Sequence, residues 1–121
     1  MNVMIVDDSN TIRQTVQTIL SKEGCEVSHA VDGYDALSKI ATIKPDLIFI
    51  DIMMPKLDGY QTCALVKNNP EFKKIPIVML SSKDGIFDRA KGRIVGSNSY
   101  LTKPFSKDDL LEVYQTYRDA S

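Results

Sequence analysis

Short apolar runs recur along the chain at residues 3–6, 27–31, 47–50, 75–80 and 100–101, each of a length suited to a buried strand. Segments with helical period lie between them. The first opens at Ser9, a good N-cap, carries Ile12, Val16, Ile19 and Leu20 on one face, and stops at Gly24. The second, over 33–43, groups Ala36, Leu37, Ile40 and Ala41. It ends before Lys44-Pro45, where the residue preceding proline is pushed out of helical geometry. A third, over 59–67, buries Cys63 and Val66 and is stopped by Asn68-Asn69-Pro70. A fourth uses Phe87, Ala90 and Ile94 and is interrupted by Gly85, Gly92 and Gly96. The last opens at Ser106 and carries Leu110, Leu111, Tyr114 and Tyr117.

Strands alternating with helices imply right-handed crossovers and a parallel sheet covered on both faces. The expectation is therefore an α/β fold, one domain over residues 1–121, with five parallel strands and five helices. No Gly/Ser-rich or charge-blocked linker divides it, and no internal repeat is visible. In such sheets ligands bind beyond the carboxyl ends of the strands, so the residues just after each strand are the ones to read for chemistry.

Composition narrows the function classes. The chain has 121 residues, 43% of them hydrophobic and 26% charged, as expected for one globular domain. Fifteen basic residues against 16 acidic ones leave a formal charge of −1, which gives no support to a nucleic-acid or acidic-lipid partner. Cys25 and Cys63 lack CxxC spacing, and His29 is the single histidine, so neither a zinc site nor a disulfide framework is indicated. The cysteines read as small core fillers and His29 as a surface or edge-strand residue. The start Met-Asn-Val-Met-Ile-Val-Asp-Asp lacks the form of a signal peptide, and no run is long enough to insert into a membrane. A cytoplasmic location is expected.

Strand one leads into Asp7-Asp8, strand three into Asp51, strand four into Ser81-Ser82 and strand five into Lys103-Pro104. Taken singly, each acid reads equally as a turn or N-cap residue, Lys103 as a solvated surface lysine, and Ser81 as a local capping hydroxyl. Met53 and Met54 read as loop packing. Together the polar set suits phosphoryl chemistry. Three carboxylates at one rim need a counter-charge, which a hard divalent cation and Lys103 would supply. One ionised carboxylate could then act as nucleophile toward a phosphoryl donor, with the Ser81 hydroxyl hydrogen-bonding the transferred oxygens.

The segments Val-Met-Ile-Val-Asp-Asp-Ser (3–9), Pro-Asp-Leu-Ile-Phe-Ile-Asp-Ile-Met-Met-Pro-Lys-Leu-Asp-Gly-Tyr (45–60), Ile-Pro-Ile-Val-Met-Leu-Ser-Ser (75–82) and Ser-Tyr-Leu-Thr-Lys-Pro-Phe (99–105) resemble the receiver domains of two-component response regulators, over essentially the whole chain. The resemblance implies a flavodoxin-like sheet of order 2-1-3-4-5. It also implies Asp51 as phosphoacceptor, Asp7 and Asp8 as metal-binding acids, Ser81 as switch hydroxyl, Tyr100 as switch aromatic and Lys103 as the phosphate-contacting lysine. Mg2+ or Mn2+ is the implied cofactor, with Asp51 and the Met53 backbone carbonyl completing its protein ligands. The activity so implied is self-catalysed phosphotransfer and autodephosphorylation, with no other enzymatic turnover. Residues 81–97 are similar to single-domain receivers serving chemosensory-type kinases of type IV pilus twitching motility, and to phototaxis receivers. Serine at 81 departs from the threonine frequent in the family, keeping the hydroxyl and losing a methyl.

The partners implied are a histidine kinase or phosphotransfer domain of a chemosensory-type system and a downstream protein. Because only one helix is expected after Phe105, the output surface expected is the face of helix four, strand five and helix five, with Lys83, Arg89, Lys91, Arg93 and Lys107 near Tyr100. Taken singly, each of these charges reads first as ordinary solvated surface. A haloacid-dehalogenase-type phosphatase would want a second acid two positions after the nucleophile, where Met53 stands. In a flavodoxin-like electron carrier, Asp7 and Asp8 would repel the cofactor phosphate. A receiver cut from a larger regulator with a DNA-binding or enzymatic output domain is the remaining alternative.

Overall fold

The computed structural model describes residues 1–81 and 86–120, with the side chains of 86–89 outside that description. Within it the chain alternates β1 (Asn2–Val6), α1 (Asn10–Ser21), β2 (Glu26–Ala30), α2 (Gly33–Ile43), β3 (Leu47–Asp51), α3 (Gly59–Lys67), β4 (Ile77–Ser81), α4 (Ile86–Val95), β5 (Ser99–Thr102) and α5 (Lys107–Ala120). The strands form one parallel sheet in the order β2-β1-β3-β4-β5. Because the order reverses between β1 and β3, the carboxyl ends of those strands open a crevice.

The central strands β3 and β4 are buried along their whole length, which is why Leu47–Asp51 and Ile77–Ser81 read as unbroken apolar runs ending in a polar residue. Alternate residues point to opposite faces. Met4, Val6, Ile48, Ile50, Ile77 and Met79 join Ala36, Ile40, Cys63 and Val66 in one core. Val3, Ile5, Leu47, Phe49, Val78 and Leu80 join Val16, Leu20, Leu110 and Tyr114 in the other.

Local chemistry sets the helix ends. Ser9 Oγ accepts from Ile12 N, and Asp32 Oδ1 from Asp35 N. Asp58 and Gln61 close a reciprocal capping box at the start of α3. Gly24 has φ +85° after α1, and Lys44 takes a left-handed conformation before Pro45 at the end of α2.

The apolar pattern misplaced some boundaries by a residue or two. Ile75 belongs to the turn before β4, its amide donating to Phe72 O, because Pro76 delays the ladder. Val31 lies beyond β2 and is 48% exposed. Ala41 faces solvent rather than joining Ala36 and Ile40. Of the two methionines expected to pack in the loop, Met54 is buried against the core and Met53 is 76% exposed. Gly85, Ser82, Lys83 and the side chains of Phe87 and Arg89 lie outside the described residues. No helix among the described residues is long and apolar enough to cross a membrane.

Candidate functional site

The fold carries every polar group singled out above to the carboxyl rim of the sheet. Asp7 follows β1 directly and is fully buried, its amide continuing the ladder to Ala30 O at 3.1 Å. Its Oδ1 accepts from Ser9 N at 2.8 Å, and its carbonyl accepts from the Arg13 guanidinium at 2.5 Å. Asp8 is exposed at the lip. Asp51 closes β3 and is 6% exposed, with Oδ1 accepting from Met53 N at 3.3 Å. Asp7, Asp8 and Asp51 each bring one carboxylate oxygen within 4.8 Å of the others.

Lys103, just beyond β5, reaches across the sheet to these acids. Its Nζ lies 2.8 Å from Asp7 Oδ2 and 3.2 Å from Asp51 Oδ1, and a cis peptide bond joins it to Pro104. Burial pushes the Asp51 carboxyl above its ordinary value and the Asp7 charge adds to that, while Lys103 and the Met53 amide oppose it. For Lys103, burial works against the ammonium, but the hydrogen bond to Asp7 and the charges of Asp51 and Asp7 prevail and raise its pKa. The oxygen donors and net negative charge of the three acids fit a hard divalent cation. The Met53 backbone carbonyl lies in the exposed loop two residues beyond Asp51.

Ser81 closes β4 opposite Thr102 in register. It is 2% exposed, and its Oγ has no hydrogen-bond partner among the described residues. Tyr100, in β5 opposite Met79, is half-buried. With Ser81, Ile52, Met79, Gly92 and Arg93 it lines a cavity of about 200 Å³ beneath α4. Of the basic residues expected near Tyr100, Arg93 lines that cavity and is exposed. Lys91 instead stands 4.9 Å over the Tyr60 ring, because α3 rather than β5 faces it there. Lys107 is exposed at the start of α5.

Two residues that position the site escaped the sequence reading. Arg13 holds the Asp7 carbonyl from one turn along α1, and nothing in its type distinguishes it from a surface arginine. Gly59 lets α3 back onto the end of β3: a Cβ there would lie 2.5 Å from Asp51 O and 2.8 Å from Ile52 Cα. The signal was its place straight after the N-cap Asp58, where a helix start approaches another backbone.

At one rim of the doubly wound sheet, then, stand a buried acid after β1, another ending β3 and a lysine salt-bridged to both. The model of the response regulator receiver domain matches residues 3–115, and the chain belongs to that family, whose receiver domains are phosphoacceptor signalling domains rather than classical enzymes. The chain is 67% identical to Protein PilG of Pseudomonas aeruginosa over 111 residues, covering 92% of this chain and 82% of that protein. It is 36% identical to Response regulator MprA of Mycobacterium avium over 92% of this chain, but spans only 48% of that protein. Among solved structures, the chemotaxis protein CheY4 of Vibrio cholerae is 35% identical with a TM-score of 0.91, covering 96% of this chain and 97% of that one. The family match sets aside the phosphatase and electron-carrier readings.

Proposed function

We propose that Asp51 is the phosphoacceptor of a cytoplasmic signalling switch, charged by a histidine kinase or phosphotransfer domain of a chemosensory-type system. The observation that carries this reading is the pairing of two buried carboxylates, Asp7 and Asp51, with the Lys103 ammonium at one rim, and Asp8 beside them. An Asp51 carboxylate oxygen attacks the phosphorus of a phosphohistidine. The P–O bond forms as the P–N bond breaks, and the departing imidazole nitrogen keeps the bonding pair and takes a proton. Asp7, Asp8, Asp51 and the Met53 carbonyl would hold Mg2+ or Mn2+, which when bound supplies charge neutralisation for the phosphoryl oxygens. Lys103 then turns from a partner of two carboxylates into a contact for the new oxygens. Hydrolysis of the acyl phosphate by water resets the domain.

The Ser81 hydroxyl, without a hydrogen-bond partner among the described residues, would find an acceptor in the phosphoryl group, and movement of that strand end leaves room for the Tyr100 ring over the cavity. The ligand works only through its different affinity for the two arrangements, so the unphosphorylated chain already samples the active one. The altered face of α4, β5 and α5 would then bind a downstream protein, with no direct nucleic-acid contact. The 67% identity to PilG, against 36% to the longer MprA, favours the twitching-motility reading over a receiver cut from a regulator with its own output domain.

Incubation with acetyl phosphate and Mg2+ followed by intact mass tests the chemistry. The wild-type chain should gain one phosphoryl group, whereas Asp51→Asn should gain none and fail to restore twitching to a deletion strain. A full gain in Asp51→Asn would move the acceptor elsewhere, and normal twitching in the deletion strain would remove the pilus assignment alone.

A further inference from the structure

The seam between α3 and α4 carries polar contacts that the rim chemistry does not use. Along α3, Tyr60, Cys63 and Lys67 follow helical spacing and meet α4 in turn. Lys91 Nζ stands 4.9 Å over the Tyr60 ring, and Cys63 Sγ–H donates to Val95 O at 3.7 Å. The stem of Lys67 runs under Gly96, where an added Cβ would lie 3.2 Å from Lys67 Cγ. The Lys67 ammonium then spends all three of its protons, on Ile75 O at 2.7 Å, Asn98 Oδ1 at 2.9 Å and Lys73 O at 3.2 Å. Asn98 is itself bound to the sheet: its Oδ1 also accepts from Ile77 N, and its amide donates to Ile77 O, each at 2.9 Å. One ammonium thus joins the end of α3, the turn before β4 and the turn between α4 and β5.

The end of α4 is closed from within as well. Gly96 N donates to Arg93 O and Ser97 N to Gly92 O, a Schellman pairing with Gly96 at φ +93°. The cavity of about 200 Å³ that reaches Ser81 and Tyr100 opens against the last turn of α4, at Gly92 and Arg93, and against Ser97, Asn98 and Ser99. The carboxyl end of α4 is therefore fixed by hydrogen bonds at several points, although a cavity adjoins it.

We propose that Lys67 is a positioning residue for the switch: it pins the α4–β5 turn to the base of the sheet, so that α4 answers phosphorylation by swinging about Gly96 rather than shifting bodily. This rests on the receiver chemistry proposed above. The pin ensures that a change at Ser81 and Tyr100 is delivered as a tilt of the output face, with the lever arm at the end of α4 nearer the site.

Amide hydrogen exchange and chemical shifts on the full chain, with and without Mg2+ and beryllofluoride as phosphoryl mimic, test it. In wild type the amides of Gly96, Ser97 and Asn98 should keep their rates within about twofold on adding the mimic while those of residues 86–91 change. Lys67→Met keeps the stem and removes the ammonium; it should speed exchange at those three amides by about tenfold or more, even without the mimic. In that variant the Met53 amide should still report mimic binding within about twofold of wild type, while the Tyr100 response falls by about half or more. A merely structural role would not separate these two readouts. Lys67→Arg, which retains the charge and several donors, should restore the wild-type pattern and guards against a folding defect. Unchanged exchange at Gly96, Ser97 and Asn98 in Lys67→Met overturns the pin, and equal changes along all of α4 in wild type overturn the swing. Absence of any mimic-induced change in wild type would instead refute the phosphoacceptor reading, and the pin would then be decided by the comparison without the mimic.

Discussion

Asp51 occupies a position that favours chemistry over stability. Its carboxyl is raised above the ordinary value, first by burial and then by Asp7. A carboxyl whose folded-state pKa exceeds its unfolded one binds more protons when folded, so its contribution is present at acid pH and lost as pH rises through the folded pKa. Asp51→Asn should therefore stabilise the chain at neutral pH, and the gain in Tm should shrink toward about pH 4 and below, where the unfolded carboxyl is protonated as well. A loss of stability at pH 7 in that variant would show Lys103 to outweigh burial. Cys63 shows burial acting on a thiol: its pKa is pushed up to about 11, with Lys67 opposing the shift. In the folded protein it should resist alkylation at pH 8 and react once denaturant is added, as intact mass would show.

Elements were legible where local chemistry and burial agreed. The spans 33–43 and 59–67 were legible because a Pro- or Asn-rich stop closed each, and in the structure the N-caps Asp32 and Asp58 mark their starts. Strand ends were less sharp, since Ile75 and Val31 are apolar yet sit where a proline or a bend has already taken the backbone off the ladder. The acids and Lys103 could be named from their places after strands. Their union could not, because Lys103 meets Asp7 across nearly the whole chain length and no local pattern encodes such a contact. Gly59 shows what the elements require of one another. With Asp51 O 2.5 Å from the site of an added Cβ, Gly59→Ala should force α3 off the end of β3 and cost about 1–3 kcal/mol in urea unfolding. Wild-type stability in that variant would mean that α3 shifts freely.

At the scale of the whole molecule, the rim is the place where folding and ligand binding are linked. Three carboxylates converge there and one ammonium pairs with two of them, so a divalent cation that binds the folded rim and not the unfolded chain must raise stability by mass action. The rise should be about 1.4 kcal/mol at ten times the dissociation constant. Denaturation followed with and without Mg2+, and after chelation, should show it in wild type. Asp8→Ala, which leaves both buried acids and Lys103 in place, should lose most of it. A similar response in Asp8→Ala would place the cation elsewhere.

The outer strand β2 has a further consequence. Among the described residues it pairs with β1 alone, and the carbonyl of His29 is taken by Lys39 Nζ at 2.7 Å, while Asp35 holds the same ammonium at 3.2 Å. An open sheet edge invites a strand from another molecule, and a lysine laid across it removes an acceptor and presents a charge instead. Crowding many copies together should therefore not zip them edge to edge along this border, and a signal carried by concentration need not be lost to aggregation. Lys39→Ala would bare that seam, and light scattering at high protein concentration is where its absence would first be seen.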